Sequence, residues 1–253
     1  MEQTRRKFVK NGLLFSAAIG SSFIFANSIN YKLKSEQEFS VDELTGKASP
    51  FLIGNHYKLR KETSEALETL IKDAKKVGFK PQVLSSYRNY SHQKRIWDNK
   101  FESFTKQEKL SPQKAIQKII AYSTIPGTSR HHWGTDFDMV DAAKGIPTNP
   151  LNEKHFNPGG IYYDFKIWLN ENAEKYGFFE VYTNEKGRKG FKYEPWHFSY
   201  LPIACEMMRQ YMNKNLIFEI RKSDIKGASY LNDEFISNYY KNNFLDINPD
   251  LIP

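Results

Sequence analysis

Two short stretches of the sequence hold residues that could bind a metal ion and support hydrolysis. The first reads Ser129-Arg130-His131-His132-Trp133-Gly134-Thr135-Asp136-Phe137-Asp138, and the second reads Glu194-Pro195-Trp196-His197. Two imidazoles and one carboxylate form a three-ligand set for zinc that leaves a fourth coordination position for water. Glu194 adds a carboxylate outside that set. These residue types are typical of a metallohydrolase.

The first stretch must bend to bring its ligands together. A histidine and Asp138 can reach one point only if the chain turns at Gly134, and glycine adopts the backbone conformations that such a turn requires. His131 and His132 are both candidates for the imidazole ligand. The residues around Asp138 alternate as in a short strand, so Asp136 is predicted to share one face with it.

The second stretch must also be irregular. Glu194 and His197 would face opposite sides of an ideal strand, so a shared site requires a bulge or tight turn at Pro195, which cannot donate a ladder hydrogen bond. The alternative interpretation is an aromatic edge strand with one histidine and one surface glutamate. This alternative explains the composition of the second stretch, but it does not explain why both stretches carry the residue types of a metal site.

The pattern Ser-x-His-x-x-Gly-x-x-x-Asp followed by Glu-x-Trp-His resembles the zinc D-alanyl-D-alanine and L,D-carboxypeptidases that trim bacterial peptidoglycan stem peptides. This family includes the vancomycin-resistance carboxypeptidases, and the resemblance spans residues 61 to 212. It implies zinc as the cofactor, Glu194 as the general base, and three metal ligands, which are His131, Asp138 and His197. Where the commonest form of the pattern has a small residue, this chain has Asp136, which is predicted either to accept a hydrogen bond from a ligand imidazole or to narrow the substrate pocket.

The resemblance also implies substrate contacts. Arg88 and Gln93 fall on a Tyr-Arg and a later Gln of the family, and Ser129 falls on its serine. A guanidinium can bind a terminal carboxylate through two parallel hydrogen bonds or stabilise an oxyanion. Arg88 is therefore predicted to bind substrate and assist catalysis, with Gln93 and Ser129 as further substrate contacts. Without the resemblance, a surface salt bridge is the simpler interpretation of Arg88.

Apolar periodicity and turn signals predict an α+β fold, in which a small antiparallel sheet carries the zinc site and packs against helices. Helices are predicted near 62–76, near 91–104 with Ser91 as the cap, after Ser111-Pro112, and near 163–176, 202–212 and 233–243. Strands are predicted at 80–85, 135–140, 178–182, 190–200 and 216–220.

The N-terminus resembles an export signal. Arg5 and Arg6 precede an uncharged apolar stretch from Gly12 to Ala26, an order typical of twin-arginine signals. We predict a twin-arginine-type export signal at 1–28, a linker at 29–49, a zinc carboxypeptidase domain at 50–213, and a C-terminal extension packed on that domain at 214–253. The signal predicts a location in the periplasm or cell envelope, either with cleavage or with the signal retained as an anchor.

Composition narrows the partners. The mean hydropathy of −0.65 and the absence of a long apolar run beyond the N-terminus predict no stable membrane span after signal removal. The net charge of +8 favours encounter with anionic wall material. The sequence contains no arginine-rich helix, zinc finger or RNA-binding signature, so we do not expect a nucleic-acid partner. The expected partners are peptidoglycan stem peptides, and the oligomeric state is not predicted.

The family resemblance implies removal of a terminal D-alanine from stem peptides, with D,D or L,D specificity left open. The alternatives are a peptidoglycan endopeptidase, a D-Ala-D-Ala dipeptidase of the same fold, and a non-catalytic cell-wall-binding module with a structural zinc. A closed structural site would use a fourth protein ligand. The lone Cys205 offers no such motif, whereas the spare carboxylate of Glu194 favours catalysis.

Overall fold

The structure is a computed structural model that describes residues 37–253, so the predicted signal at 1–28 lies outside the described residues. The helices within the described range are α1 (Val41–Leu44), α2 (Lys61–Lys76), α3 (Tyr90–Glu102), α4 (Pro112–Ile119), α5 (Tyr163–Asn172), α6 (Leu201–Asn213) and α7 (Asp233–Tyr239). The strands are β1 (Pro81–Ser85), β2 (Asp136–Asp141), β3 (Phe178–Glu180) and β4 (His197–Tyr200).

The four strands form one sheet in the order β1-β2-β4-β3, and every neighbouring pair is antiparallel. The pairing of β1 with β2 shifts register between Val83 and Ser85. Helices cover the sheet, so the predicted α+β fold with a small antiparallel sheet is confirmed. The sheet is central to function because β2 and β4, which carry the two motifs, lie side by side.

Local sequence signals explain most helix boundaries. Ser111 caps α4 by accepting a hydrogen bond from the Lys114 backbone N–H, and Pro112 occupies the first turn, as predicted. The cap of α3 is Asn89 and not Ser91, because the Asn89 side chain accepts from the His92 backbone N–H at 2.8 Å. The predicted cap of α3 was therefore wrong by two residues.

One face of the sheet packs against α2 and α5. Phe137 and Met139 of β2 are fully buried in a cluster with Leu67 and Leu70 of α2 and Phe165 of α5. Their neighbours Asp136 and Asp138 lie on the opposite face, because side chains alternate along a strand. That opposite face carries the candidate site.

Residues 37–49 correct part of the predicted linker. This segment includes α1, whose cap Ser40 accepts from the Glu43 backbone N–H, and it buries Phe39 and Leu44 in a hydrophobic cluster that also contains Trp133. The Trp133 indole N–H donates to the Leu44 carbonyl at 3.1 Å. The few apolar residues of this segment predict a linker, yet they pack because the folded domain offers them an apolar surface.

The segment after α6 corrects the predicted strand at 216–220. Residues Leu216–Lys222 form a 3-10 helix that begins after Asn215, whose backbone is left-handed at φ 51°. Leu216, Ile217 and Ile220 are its buried residues, a spacing that fits one helical turn better than a strand. Side chains from this segment, α7 and Leu251 join the cluster that contains Trp133.

Candidate metal centre and substrate pocket

The pairing of β2 with β4 joins the two sequence motifs. Asp138 on β2 lies opposite His197, the first residue of β4. His131 comes from a 3-10 turn, Arg130–Trp133, that ends at Gly134 with a left-handed φ of 68°. The predicted bend at Gly134 is therefore present, and a side chain there would be strained in that backbone conformation.

The three predicted ligands converge. The His131 Nε2 atom lies 3.6 Å from the Asp138 Oδ2 atom, and the His197 Nδ1 atom lies 3.8 Å from the Asp138 Oδ1 atom. One ligand atom from each of the three residues lies within 4.8 Å of the others. All three side chains are buried, and Asp138 Oδ1 has no hydrogen-bond partner within residues 37–253. Two imidazoles and one carboxylate, whose buried Oδ1 atom has no partner, fit a zinc ion.

Hydrogen bonds on the far side of each imidazole fix which nitrogen faces the centre. The His131 Nδ1 atom lies 2.8 Å from the Ser86 carbonyl oxygen, so this nitrogen donates its proton and leaves Nε2 free to bind a metal. The His197 Nε2 atom lies 3.0 Å from the Asp136 Oδ2 atom, so its Nδ1 faces Asp138. Partners of this kind orient metal-binding histidines in proteins.

His132, the competing imidazole, is engaged elsewhere. Its Nδ1 atom lies 2.5 Å from the Arg88 carbonyl oxygen, and its Nε2 atom accepts from the Gly127 backbone N–H at 3.1 Å. The ring is fully buried and packs so tightly on Gly46 that a Cβ there would lie 2.4 Å from its Nδ1 atom. With both nitrogens occupied, His132 is not available as a ligand and supports the loop that holds Arg88.

Glu194 lies beside the ligands. Residues 194–197 form a turn in which the His197 backbone N–H donates to the Glu194 carbonyl, which supplies the irregularity expected at Pro195. The Glu194 Oε2 atom lies 3.2 Å from the His197 Nδ1 atom. This position leaves the carboxylate at the edge of the metal centre and on the wall of the pocket described below.

Burial and charge set the protonation of the zinc-free centre. Burial lowers the pKa of His131 well below its ordinary range and raises the pKa of Asp138 to about 6. Burial opposes protonation of His197, but hydrogen bonds to Asp136 and Glu194 outweigh it and raise the pKa of His197 to about 9. The zinc-free site therefore holds a proton on His197 that a metal ion would displace.

A pocket opens next to the metal centre. Its walls include all of the predicted catalytic and substrate-binding residues, together with two of the predicted ligands: Arg88, Gln93, Ser129, Glu194, His131 and His197. Three buried atoms on these walls lack a hydrogen-bond partner in the part of the chain that the structure describes, namely Arg88 Nε, Gln93 Oε1 and Ser129 Oγ. Unpartnered buried polar atoms in a pocket indicate groups that a bound molecule satisfies.

Several residues of the pocket were missed from the sequence. Tyr122, Ser123 and Thr124 form one wall, and Tyr182 and Phe191 form another. The Tyr182 ring packs edge-on against His197 with ring centroids 5.1 Å apart. These residues belong to no motif in the sequence, and only the folded chain brings them to the site. A hydrogen bond from Gln93 Nε2 to the Thr124 carbonyl joins α3, which carries Gln93, to the wall formed by residues 122–124.

Comparison with known proteins agrees with this geometry. Residues 56–203 match the family described as VanY, D-alanyl-D-alanine carboxypeptidase. The chain belongs to this family. The predicted family membership is therefore confirmed, and the matched residues contain both metal motifs and Arg88.

Two curated relatives illustrate the extent of the similarity. A putative carboxypeptidase of Bacillus subtilis, YodJ, is 35% identical over 144 residues, which are 56% of this chain and 46% of that protein. A D-alanyl-D-alanine carboxypeptidase of Enterococcus faecalis is 31% identical over 143 residues, which are 56% of this chain and 48% of that protein. The chain thus spans about half the length of these curated relatives.

A solved structure supports the fold. VanYB in complex with D-alanine-D-alanine superposes with a TM-score of 0.50 at 23% identity, covering 74% of this chain and 90% of that chain. This similarity shows a shared fold. Among residues 37–253, no helix combines the length and apolar character needed to cross a membrane.

Proposed function

We propose that this protein is a zinc-dependent carboxypeptidase that removes the terminal D-alanine from peptidoglycan stem peptides. One observation carries the proposal: a His/Asp/His centre, a carboxylate outside the ligand set and a guanidinium with an unpartnered buried nitrogen surround one pocket. A binding module with a closed structural metal site would use four protein ligands and would need neither a carboxylate outside the ligand set nor a guanidinium beside it. The VanY family model and the D-alanyl-D-alanine carboxypeptidase of Enterococcus faecalis support the choice of substrate.

His131, Asp138 and His197 would hold the zinc ion. When bound, zinc polarises a scissile carbonyl and lowers the pKa of a water molecule. The chain holds the ligands for this purpose on β2, β4 and the 3-10 turn before Gly134. Tyr182 packs against His197, the three ligands are almost fully buried, and His131 and His197 line the pocket, so the centre adjoins the pocket.

Glu194 would be the general base and then the general acid. Its carboxylate lies on the pocket wall and is only 8% exposed, so it can take a proton from the attacking water with little competition from solvent. It would then return the proton to the leaving amine of D-alanine, because the same group can carry the proton in both steps.

Arg88 would bind the carboxylate at the end of the substrate. Its buried Nε atom lacks a protein partner within residues 37–253, and its backbone N–H donates to the His131 carbonyl at 3.1 Å, which ties its position to a metal ligand. Gln93 and Ser129 supply an unpartnered acceptor and hydroxyl on the same walls. Recognition of a free C-terminus is what separates a carboxypeptidase from an endopeptidase.

The experiment is to incubate the purified zinc-loaded protein with stem tetrapeptides, stem pentapeptides and free D-alanyl-D-alanine, and to identify the products by mass spectrometry. Loss of one D-alanine from the pentapeptide supports D,D specificity, and loss of one D-alanine from the tetrapeptide supports L,D specificity. Cleavage inside the stem would instead favour an endopeptidase, and cleavage of free D-alanyl-D-alanine alone would favour a dipeptidase. No cleavage of any of these peptides, with zinc bound, would favour the binding module.

The N-terminal signal remains a proposal about location. Paired Arg5 and Arg6 before the apolar stretch support export by a twin-arginine route to the periplasm or cell envelope. Fusing residues 1–36 to a reporter enzyme that is active only after export would test this. Replacement of both arginines by lysine should block export of the reporter, whereas unchanged export would contradict a twin-arginine signal.

A further inference from the structure

Asp136 is the hub of a buried polar network beneath the metal centre. Its side chain is fully buried, and its Oδ2 atom lies 3.0 Å from both the Arg130 Nε atom and the His197 Nε2 atom. Its Oδ1 atom accepts from the Thr135 hydroxyl at 2.8 Å and from the Ser199 hydroxyl at 2.7 Å. The carboxylate thus has four partners, and one of them is a proposed zinc ligand.

Arg130 is the charged partner that permits this burial. It is only 4% exposed and forms the ion pair with Asp136, while its Nη2 atom donates to the Ser199 hydroxyl at 2.7 Å. The guanidinium also lies over the Trp133 ring, 4.7 Å from its centroid. Because Ser199 in turn donates to Asp136, the three residues close a ring of hydrogen bonds that fixes the carboxylate in one orientation.

We propose that Arg130 and Asp136 are positioning residues that act together to hold His197 with its proton on Nε2 and its Nδ1 lone pair directed at the metal. This inference rests on the zinc site of the proposed function. Arg130 also lines the substrate pocket, whereas Asp136 does not; the proposed effect of both residues is exerted through His197. The effect is on metal affinity, since carboxylates that accept from a ligand imidazole typically account for 10- to 100-fold in metal binding.

The pair works as a unit for an electrostatic reason. A buried carboxylate without Arg130, or a buried guanidinium without Asp136, would be an uncompensated charge, which is strongly destabilising. Removing both charges at once leaves no such charge behind, so the fold tolerates the double change better than either single one. Stability and metal affinity therefore respond differently to substitutions in the network, and this difference makes the proposal testable.

The test compares two variants for zinc affinity, by chelator competition, and for the melting temperature of the zinc-free protein. Asp136→Asn keeps an acceptor for the His197 Nε2 proton but leaves Arg130 without its counter-charge. The double variant Arg130→Met/Asp136→Ala removes the acceptor and both charges. We expect zinc affinity to fall 10- to 100-fold in the double variant and less than tenfold in Asp136→Asn. We expect the opposite order for the melting temperature, with Asp136→Asn lower.

Ser64→Ala is the matched control, because it removes a buried hydroxyl that contacts Tyr57 and lies outside the Asp136 network. Its zinc affinity should stay within about threefold of wild type, well under the effect of losing a ligand's own partner. The proposal is overturned if the double variant binds zinc as wild type does, or if zinc affinity follows melting temperature across all variants. The second result would assign the network a purely structural role.

A measurement on the unmodified protein guards against a variant that fails to fold. Long-range proton–nitrogen NMR of the zinc-loaded wild type should show the His197 ring with a slowly exchanging proton on Nε2. An Nε2 without a proton would overturn the proposal. None of these three measurements, zinc affinity, melting temperature or the ring spectrum, depends on which peptide is cleaved. The proposed substrate can therefore be wrong while this inference holds, and this inference can be wrong while the proposed substrate is right.

Discussion

Asp138 lies opposite His197 in the antiparallel pairing of β2 with β4, and this pairing makes one metal centre from two distant motifs. The metal site lies on only one face of β2, because Phe137 and Met139 pack the opposite face against α2 and α5. Two of the three ligands, Asp138 and His197, therefore lie on the sheet, and sites built on strands are held more precisely than sites on loops.

His197→Ala should abolish stoichiometric zinc binding. The variant removes one of three protein ligands and leaves His131 and Asp138, which is too few for a tight site. Elemental analysis of the purified variant measures this directly. His155→Ala is the control, since His155 contacts the Asn149 carbonyl away from the pocket and should keep one zinc per chain. Full zinc content in His197→Ala would show that the ligand assignment is wrong.

Glu194→Gln should keep zinc but lose most of its turnover. A glutamine retains the shape of the side chain but cannot accept the proton of the attacking water, and a general base contributes on the order of 10²–10⁴-fold to kcat. Single-turnover assays on the zinc-loaded variant would measure the loss. The exposed Glu185, changed to glutamine, should have wild-type kcat. A Glu194→Gln variant that turns over like wild type would remove Glu194 from the mechanism.

Arg88→Ala should lose recognition of the free C-terminus. A charge-assisted contact in a partly desolvated pocket is worth roughly 2–5 kcal/mol, so kcat/KM on the free acid should fall accordingly, while acid and C-terminal amide become similar substrates. Arg88→Lys should restore only part of the rate, because an ammonium lacks the planar two-point geometry. The exposed Arg95 on α3, changed to alanine, is the control.

A comparison of acid and amide substrates with the wild-type enzyme could contradict the role of Arg88. If wild type cleaves acid and amide with equal kcat/KM, Arg88 does not bind the terminal carboxylate. An oxyanion or structural role would then fit Arg88 better, and the endopeptidase alternative would gain support.

The stability of the zinc-free protein should depend on pH through His197. Hydrogen bonds to Asp136 and Glu194 outweigh burial and raise its pKa to about 9, above the ordinary value of 6.5. A raised pKa means that the protonated ring stabilises the fold; this contribution is complete below about pH 6.5 and is lost as the pH rises through about 9. Thermal melts of wild type and His197→Ala across this range should differ in slope.

Zinc binding should show the matching proton release. The ligand imidazole must be neutral, so zinc displaces the His197 proton, and affinity should rise with pH until about 9. Below pH 6 affinity should fall further, because burial raises the pKa of Asp138 to about 6 and this ligand becomes protonated. Calorimetry in buffers of different ionisation enthalpy counts the released protons. Zinc affinity that is independent of pH would contradict this protonation scheme.

The backbone shape of the two metal motifs could be predicted from the sequence because its constraints are local. A glycine between His131 and Asp138, the alternation of β2 and the proline before His197 each demand a specific backbone, and the structure has all three features. The choice of His131 over His132 came only from the family resemblance. Its physical basis, the two hydrogen bonds of His132 to Arg88 and Gly127, depends on folded neighbours.

The rest of the site could not be predicted because it depends on contacts between distant segments. Tyr122 and Tyr182 reach the pocket from segments without motifs. The helix α1 packs on a cluster that contains Trp133, whose indole N–H donates to the Leu44 carbonyl. The 3-10 helix Leu216–Lys222 was predicted in part as a strand, since a short apolar run does not distinguish strand from helix. In each case tertiary packing decided the outcome.

The most direct test of the central claim is to titrate zinc into metal-free wild-type protein and measure D-alanine release from a stem peptide at each step. Catalysis by the proposed zinc centre requires no release without metal, a linear rise up to one zinc per chain, and a plateau thereafter, whereas Glu194→Gln should bind the same single zinc and release almost no D-alanine. Full D-alanine release from the metal-free protein, or none after one zinc has bound to wild type, would contradict it.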